Sequence, residues 1–126
     1  MFPVIRRTER RRSETPAGVM TTLASPTVGA TAGLSMWEVA MTAGASGPLH
    51  LFDSEQIWTV LDGELSVAIG GQREDIRSGD TVVIPADLDR QISARTDVRL
   101  LVCGHASAVA RVPGEPGPRG TPAWIA

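Results

Sequence analysis

Residues 56–71, with the sequence QIWTVLDGELSVAIGG, decide the fold class of this chain. Apolar side chains recur at every second position in QIWTVL (56–61) and ELSVAI (64–69), a period that is typical of half-buried strands. Asp62-Gly63 and Gly70-Gly71 supply the positive backbone φ that tight hairpin turns require. The stretch therefore predicts two short antiparallel strands, each followed by a hairpin turn.

The same pattern continues on both sides of this stretch. LSMWEVAM (34–41), TVVI (81–84) and VRLLVC (98–103) are further short runs rich in β-branched or alternating apolar residues. Ser78-Gly79-Asp80 predicts another turn, and Pro85-Ala86-Asp87 predicts the end of a strand because proline cannot donate to a β-ladder. Helical periodicity is nearly absent, so roughly seven or more strands predict an all-β antiparallel barrel or sandwich.

Length and charge limit the function classes. The chain has 126 residues and a mass of 13.3 kDa, with 42% hydrophobic residues, which suits a single compact domain. Its formal net charge of −2 offers no basic excess for a polyanion, so we expect no nucleic-acid partner. No apolar run reaches the roughly 18 residues of a membrane-spanning helix, so we expect no membrane partner either. The single cysteine, Cys103, cannot form an internal disulfide, which favours a cytoplasmic location.

The two ends differ in composition from the middle of the chain. Residues 1–16 are rich in arginine and form an N-terminal arm, which is a solvated tail, an arm that crosses to a second subunit, or a binder of anionic surfaces. Residues 17–111 form the barrel domain, and residues 112–126 form a tail rich in proline and glycine. Trp124 and Ile125 near the end of this tail are expected to plug a groove.

Two segments of the barrel region carry family motifs. Pro48-Leu-His50-Leu-Phe52-Asp-Ser-Glu-Gln56-Ile-Trp-Thr-Val-Leu-Asp-Gly63 follows the length and apolar pattern of the first motif of the cupins, and residues 79–94, GDTVVIPADLDRQISA, align with the second. From about residue 44 to residue 103 the chain resembles the cupin superfamily of small barrels. The resemblance implies an antiparallel jelly-roll β-barrel, and cupins of this size commonly form dimers, so we expect a homodimer.

The resemblance also shows where this chain departs from the family. Cupins bind a divalent metal through two histidines and a glutamate of the first motif and a histidine of the second. At these four positions the chain has His50, Phe52, Gln56 and Arg90. Such a metal needs about three strong N, O or S ligands, and a guanidinium beside the site repels a cation. We therefore expect no metal and no other cofactor.

A metal site could be rebuilt only from other residues. A one-residue slip of the strand would turn Glu55 inward, but would also invert Trp58. Cys103 and His105 have the same strand parity and could join His50 if they faced the cavity. The plainer interpretation is a small buried side chain for Cys103 and an exposed strand end for His105.

Strand alternation predicts an apolar bowl with few polar groups, which is the usual make-up of a small-molecule site. His50 is the group able to exchange a proton near pH 7, Arg90 offers a planar fork to an anion, and Gln56 orients the ligand. These three are the candidate catalytic residues. The candidate ligand-binding residues are Phe52, Trp58, Ile92 and Met36 or Met41.

Each of these residues also has a structural interpretation. His50 could bond Asp53, Ser54 or a backbone carbonyl group and hold the loop. Arg90 could point outward to Asp87 or Asp89. Phe52 and Trp58 could simply fill the barrel, and Trp37 could lie in the cavity or at an interface between subunits.

Three functions remain open at this level. The first is a metal-independent isomerase, cyclase or lyase that acts on a small organic molecule, anionic or carbonyl-bearing, with His50 as acid and base. The second is a non-catalytic module that binds a metabolite in the same cavity. The third is a metal-dependent dioxygenase that uses His50, His105 and Glu55.

Overall fold

The computed structural model describes residues 2–126, which form a short 3-10 helix at Arg7–Glu9 and eleven strands. The strands are β1 (Arg11–Thr15), β2 (Gly18–Ala24), β3 (Leu34–Met41), β4 (Leu51–Phe52), β5 (Gln56–Asp62), β6 (Glu64–Ile69), β7 (Gln72–Arg77), β8 (Thr81–Ile84), β9 (Arg90–Ala94), β10 (Val98–His105) and β11 (Ala110–Arg111). Within residues 2–126 no helix is long and apolar enough to cross a membrane.

The strands form two main antiparallel sheets and one short pair. The larger sheet has the order β1-β2-β3-β10-β5-β8, the smaller sheet has the order β7-β6-β9, and β11 pairs with β4. The order is far from sequential, since β10 lies between β3 and β5. This arrangement is a jelly-roll barrel, which confirms the predicted all-β fold.

The core lies between the sheets and follows from side-chain alternation. On β3 the buried side chains include Trp37 and Val39, whereas their neighbours Met36 and Ala40 are exposed. Val102 on β10 pairs with both Trp37 and Trp58, so these three side chains point the same way across three strands. The larger sheet thus turns a row of bulky apolar side chains toward the interior.

Two of the three predicted turns are confirmed and one is wrong. Ser78 and Gly79 form the turn between β7 and β8, with Gly79 at positive φ. Gly70 and Gly71 both have positive φ and join the paired strands β6 and β7, as expected. Asp62-Gly63 does not close a hairpin, because β5 and β6 belong to different sheets and the chain passes from one to the other there. Gly63 has φ +92°, and an added Cβ would lie 2.1 Å from the Asp97 carbonyl oxygen. Glycine at this position therefore allows a sharp corner rather than a hairpin.

The two ends of the chain meet on the barrel. Residues 11–15 of the predicted arm form β1 and pair with β2, so the expected boundary at residue 16 does not separate an arm from the domain. At the other end Ile125 is fully buried, as the predicted plug requires. Thr22 donates to the Trp124 carbonyl oxygen at 2.7 Å, and Arg11 donates to the carbonyl oxygens of Ala123 and Ala126. The tail is thus fastened to β1 and β2.

Candidate functional site

A cavity of about 850 Å³ opens within the barrel and contains the candidate residues from four strands. Its size is within the range of small-molecule sites. The predicted residues that line it are His50, Phe52, Gln56, Trp58, Arg90, Ile92 and Met41. The motif positions that alternation places inward therefore do converge.

The polar centre of the cavity is a hydrogen-bonded triad of Arg90, Gln56 and Trp58. Gln56 lies at the start of β5, and its side-chain oxygen accepts from Arg90 Nη2 at 2.6 Å and from Trp58 Nε1 at 3.1 Å. Both partners can only donate, so the amide must present its oxygen to them. The Arg90 guanidinium also stacks over Phe52, with its Cζ 4.5 Å from the ring centroid. Gln56 and Phe52 together hold the guanidinium in one orientation.

Arg90 carries a buried positive charge that has no ionic partner among the described residues. Its exposed fraction is only 2%, and none of the ion pairs formed by residues 2–126 includes it. Its Nε and the Nε2 of Gln56 are buried donors for which the described part of the chain provides no acceptor. Burial lowers the pKa of Arg90 to about 10, so the group remains a cation at neutral pH. Arg90 and Gln56 together therefore carry more buried donors than the described residues provide acceptors for.

His50 directly precedes β4 and lies opposite Arg90, the first residue of β9. The two residues exchange backbone hydrogen bonds, N–H to O, at 3.1 and 2.8 Å, which places both side chains on the same face. The His50 Nδ1 donates to the Pro48 carbonyl oxygen at 2.7 Å, which leaves Nε2 as the lone-pair nitrogen of the neutral ring. Burial lowers the pKa of His50 and the Arg90 charge lowers it further, against the opposing effect of the Pro48 bond. His50 therefore offers the cavity an acceptor.

One predicted ligand-binding residue is misplaced, and the structure decides three alternatives that the sequence left open. Met36 is exposed on the outer face of β3 and does not line the cavity, whereas Met41 is buried and does. Trp37 lines the cavity with 2% exposure, so it is not an interface residue. Among the alternatives left open above, His50 bonds a backbone carbonyl oxygen and also lines the cavity, and Arg90 points inward.

The cavity also has walls that strand periodicity did not predict. The β1–β2 hairpin contributes residues 15–18, and the tail contributes Arg119, Pro122 and Trp124. Arg119 is already paired with Glu115 through bonds of 2.8 and 2.6 Å. The one available signal was the pair of large apolar residues at the end of a polar tail, which indicated burial but not the surface that it covers.

The residues present do not fit the metal that the family resemblance implies. At the four ligand positions the cavity offers one imidazole, a phenyl ring, a carboxamide and a guanidinium. Cys103 pairs with Met36 and Ile57 on the outer face, and His105 and Glu55 are exposed, so none of the three joins His50. Across residues 2–126 no three His, Cys, Asp or Glu side chains are grouped as a metal site. The described residues therefore do not supply the ligands of the alternative metal site that the sequence left open.

Comparison with known families and structures agrees with this architecture. The family model described as "Cupin domain" matches residues 37–104, which is more than half of the chain. The chain belongs to the cupin family. None of the curated protein sequences compared with this cupin matches it.

Solved structures with the same fold are distant in sequence. An RmlC-like cupin from Shewanella frigidimarina is 18% identical with a TM-score of 0.69, over 79% of this chain and 86% of that one. A cupin superfamily protein from Desulfitobacterium hafniense is 16% identical with a TM-score of 0.61, over 68% and 74%. Salicylate 1,2-dioxygenase from Pseudoaminobacter salicylatoxidans, in adducts with gentisate, is 18% identical with a TM-score of 0.72. The match covers 83% of this cupin but 31% of the dioxygenase, and at such identities it shows the fold alone.

Proposed function

We propose that this cupin binds a small organic anion in the barrel cavity, with Arg90 as its anchor and without a metal. The observation that carries the proposal is a buried guanidinium with no carboxylate partner in the part of the chain that the structure describes. A buried unpaired cation is costly for the fold, and an anion that enters the cavity offsets that cost. A cytoplasmic location suits this proposal, since the single cysteine requires no oxidising compartment.

The test compares benzoate with benzamide, a neutral molecule of nearly the same shape, by titration calorimetry. Arg90→Met removes the charge while keeping a long side chain, and Arg99→Gln removes a charge from the exposed partner of Glu38 outside the cavity. We expect the wild type and Arg99→Gln to prefer benzoate by about 30-fold or more, as for a desolvated charge pair, and Arg90→Met to lose this preference. Equal binding of the two probes by the wild type contradicts the proposal.

A catalytic function is the second candidate, and the tautomer of His50 supports it. Because Nδ1 donates to Pro48, the Nε2 lone pair can take a proton from a ligand that Arg90 holds nearby. This arrangement suits an isomerase, cyclase or lyase that removes a proton next to a carbonyl or carboxylate group. The non-catalytic binding module has the same pocket without this step.

Solvent exchange separates these two possibilities. Incubation with 2-oxo-3-phenylpropanoate in D₂O would reveal base catalysis as loss of the C3–H signals in the proton NMR spectrum. For an enzyme, we expect exchange about 10²-fold or more faster than in buffer, and a return to the buffer rate in His50→Gln. Exchange that persists in His50→Gln excludes His50 as the base, and exchange at the buffer rate in the wild type favours the binding module.

We also propose that this cupin forms a homodimer through the outer face of the larger sheet. Met36, Cys103, Ile57 and Val83 lie in register across four strands of this face, and Met36, Ile57 and Val83 are exposed. Apolar rows of this kind favour association. Light scattering should give twice the chain mass for the wild type and for Leu88→Lys, an exposed loop control, and the chain mass for Ile57→Lys. A monomeric wild type contradicts this proposal.

A further inference from the structure

The lining of the cavity also indicates which kind of anion enters it. Resting on the proposed function, we propose that the ligand is a monocarboxylate with a flat apolar ring that carries a hydroxyl group. The carboxylate lies at Arg90 and Gln56, the hydroxyl donates to His50, and the ring occupies the space between the tryptophans. Each of these three features rests on a separate observation.

The single negative charge follows from the charges that line the cavity. Among the residues that the structure describes, Arg90 and Arg119 are the two cationic side chains that line it, and no carboxylate does. Arg119 is already neutralised by Glu115 through two hydrogen bonds. Only the Arg90 charge remains to be matched, so a dianion such as a phosphate monoester would bring a second charge into apolar surroundings without a partner.

The carboxylate follows from two buried donors. Arg90 Nε and Gln56 Nε2 have no acceptor within residues 2–126, and they belong to side chains already joined by the 2.6 Å hydrogen bond. A carboxylate has two oxygens that accept hydrogen bonds in one plane, and a guanidinium presents its donors in a matching plane. One carboxylate can therefore satisfy both groups after a small movement of the side chains.

The hydroxyl group follows from His50. The hydrogen bond from Nδ1 to Pro48 leaves an acceptor at Nε2, and none of the described side-chain hydrogen bonds uses it. The ring of His50 packs edge-on against Phe52, 5.4 Å between centroids, and the Arg90 Cζ lies over the same Phe52 ring at 4.5 Å. A ligand with its carboxylate at Arg90 thus passes close to His50. Its hydroxyl donates to Nε2, whereas a second carboxylate would find no donor there.

The flat ring follows from the walls of the cavity. All three tryptophans of the chain, Trp37, Trp58 and Trp124, line it together with Phe52. Aromatic faces favour flat rings through stacked and edge-on contacts. Methionine and valine side chains from β2 and β3 add apolar surface beside these rings, so the body of the ligand is apolar.

The test is a calorimetric titration with a matched set of probes. Benzoate provides the reference, the three hydroxybenzoate isomers add a donor at different positions, and the three methoxybenzoates add a group that cannot donate. We expect at least one hydroxybenzoate to bind about tenfold tighter than both benzoate and its methoxy counterpart, which is the value of one hydrogen bond to a well-placed acceptor. Phenyl phosphate should bind more weakly than benzoate.

Two histidine variants assign the gain to its acceptor. His50→Phe should abolish the advantage of the hydroxyl group, and His105→Phe, at the exposed end of β10, should keep it. His50→Leu replaces the first variant if that protein shows no cooperative unfolding. A gain that survives in both His50 variants, the absence of any gain, or phenyl phosphate binding as tightly as benzoate each overturns this inference. The preference for benzoate over benzamide would still stand in those cases, whereas its absence would overturn the proposed function itself.

Discussion

Two arginines of this cupin use their hydrogen-bond donors to different extents. Arg11 on β1 donates through its Nη atoms to three acceptors, which are the Thr27 hydroxyl and the carbonyl oxygens of Ala123 and Ala126, and only its Nε has no acceptor within residues 2–126. Arg90 on β9 is more deeply buried, yet within residues 2–126 its side chain donates to Gln56 alone and packs its faces against aromatic rings. Arg11 ties the tail to the sheet, whereas Arg90 keeps most of its donors uncommitted.

This contrast separates a structural arginine from one that a ligand can use. A side chain that only stabilises the fold is expected to satisfy most of its hydrogen bonds within the chain, as Arg11 does. Arg90 instead lowers the stability of the fold, because its buried charge has no ionic partner among the described residues. Binding sites commonly keep such destabilising groups because the ligand uses them. The following predictions test this distinction, beginning with the largest effect.

Arg11→Met should destabilise the fold. The change leaves the carbonyl oxygens of Ala123 and Ala126 without this donor, and we expect the free energy of unfolding to fall by about 2 kcal/mol. Arg12→Met is the matched control, because Arg12 is exposed and, in the part of the chain that the structure describes, pairs only with Glu14. Urea denaturation followed by tryptophan fluorescence measures both. An equal change in the two variants would remove the structural role assigned to Arg11.

Gln56→Glu should commit Arg90 to the fold, as Arg11 is committed, by giving it an anionic partner within the chain. The new carboxylate would face the Arg90 guanidinium at the position of the present 2.6 Å hydrogen bond. We expect the Kd for benzoate to rise about tenfold, or roughly 1.4 kcal/mol, since the ligand must then displace an internal anion. Gln72→Glu adds the same charge at an exposed position on β7 and should leave the Kd unchanged. Unaltered binding by Gln56→Glu would place the anion elsewhere.

Gly104→Ala tests how closely Gln56 is held against β10. An added Cβ would lie 3.1 Å from Gln56 Cγ and 3.5 Å from the Trp37 ring, so the amide must shift. We expect a loss of about 1 kcal/mol in the free energy of unfolding and a few-fold weaker binding of benzoate. Gly33→Ala is the control, since nothing lies within 4 Å of its added Cβ. If both variants bind benzoate as the wild type does, the orientation of Gln56 is not important for binding.

The pH dependence should show the smallest effect and should depend on only one of the two arginines. Burial and the Arg90 charge lower the pKa of His50 below its ordinary value of 6.5 in the folded chain. The unfolded chain therefore takes up the proton first, and the free energy of unfolding should fall as the pH drops below 6.5. NMR titration of the imidazole should give a higher pKa in Arg90→Met and the same pKa in Arg11→Met. If the pKa of His50 is unchanged in Arg90→Met, the Arg90 charge does not act on the imidazole.

The sequence predicted the parts of this molecule that depend on alternation within a strand. Gln56 and Trp58 are two residues apart on β5, so one buried position determined the other. Alternation did not determine β3 in the same way, because LSMWEVAM is apolar on both faces and Met36 was as plausible as Met41. The contact of Trp37 with the cavity required the position of β10 between β3 and β5, which no local pattern contains.

Contacts between distant segments could not be predicted from the sequence pattern. Asp62-Gly63 has the composition of a hairpin, but the neighbouring strands pair with other partners, so tertiary packing decides the turn. Trp124 and Arg119 reach the cavity because the tail is anchored by Arg11 and Thr22. The loss of three of the four family metal ligands could be seen in the sequence, but the missing acceptors around Arg90 could be seen only in the structure.

The most direct test of the account is the thermal unfolding of the wild type and Arg90→Met, each with and without benzoate. The account predicts that benzoate raises the unfolding temperature of the wild type only, because a ligand that binds the folded state alone stabilises it. Without benzoate, Arg90→Met should unfold at the same temperature as the wild type or a higher one, since the Gln56 oxygen keeps its bond from Trp58. A variant that unfolds at a lower temperature without ligand, or that benzoate stabilises as much as the wild type, would contradict it.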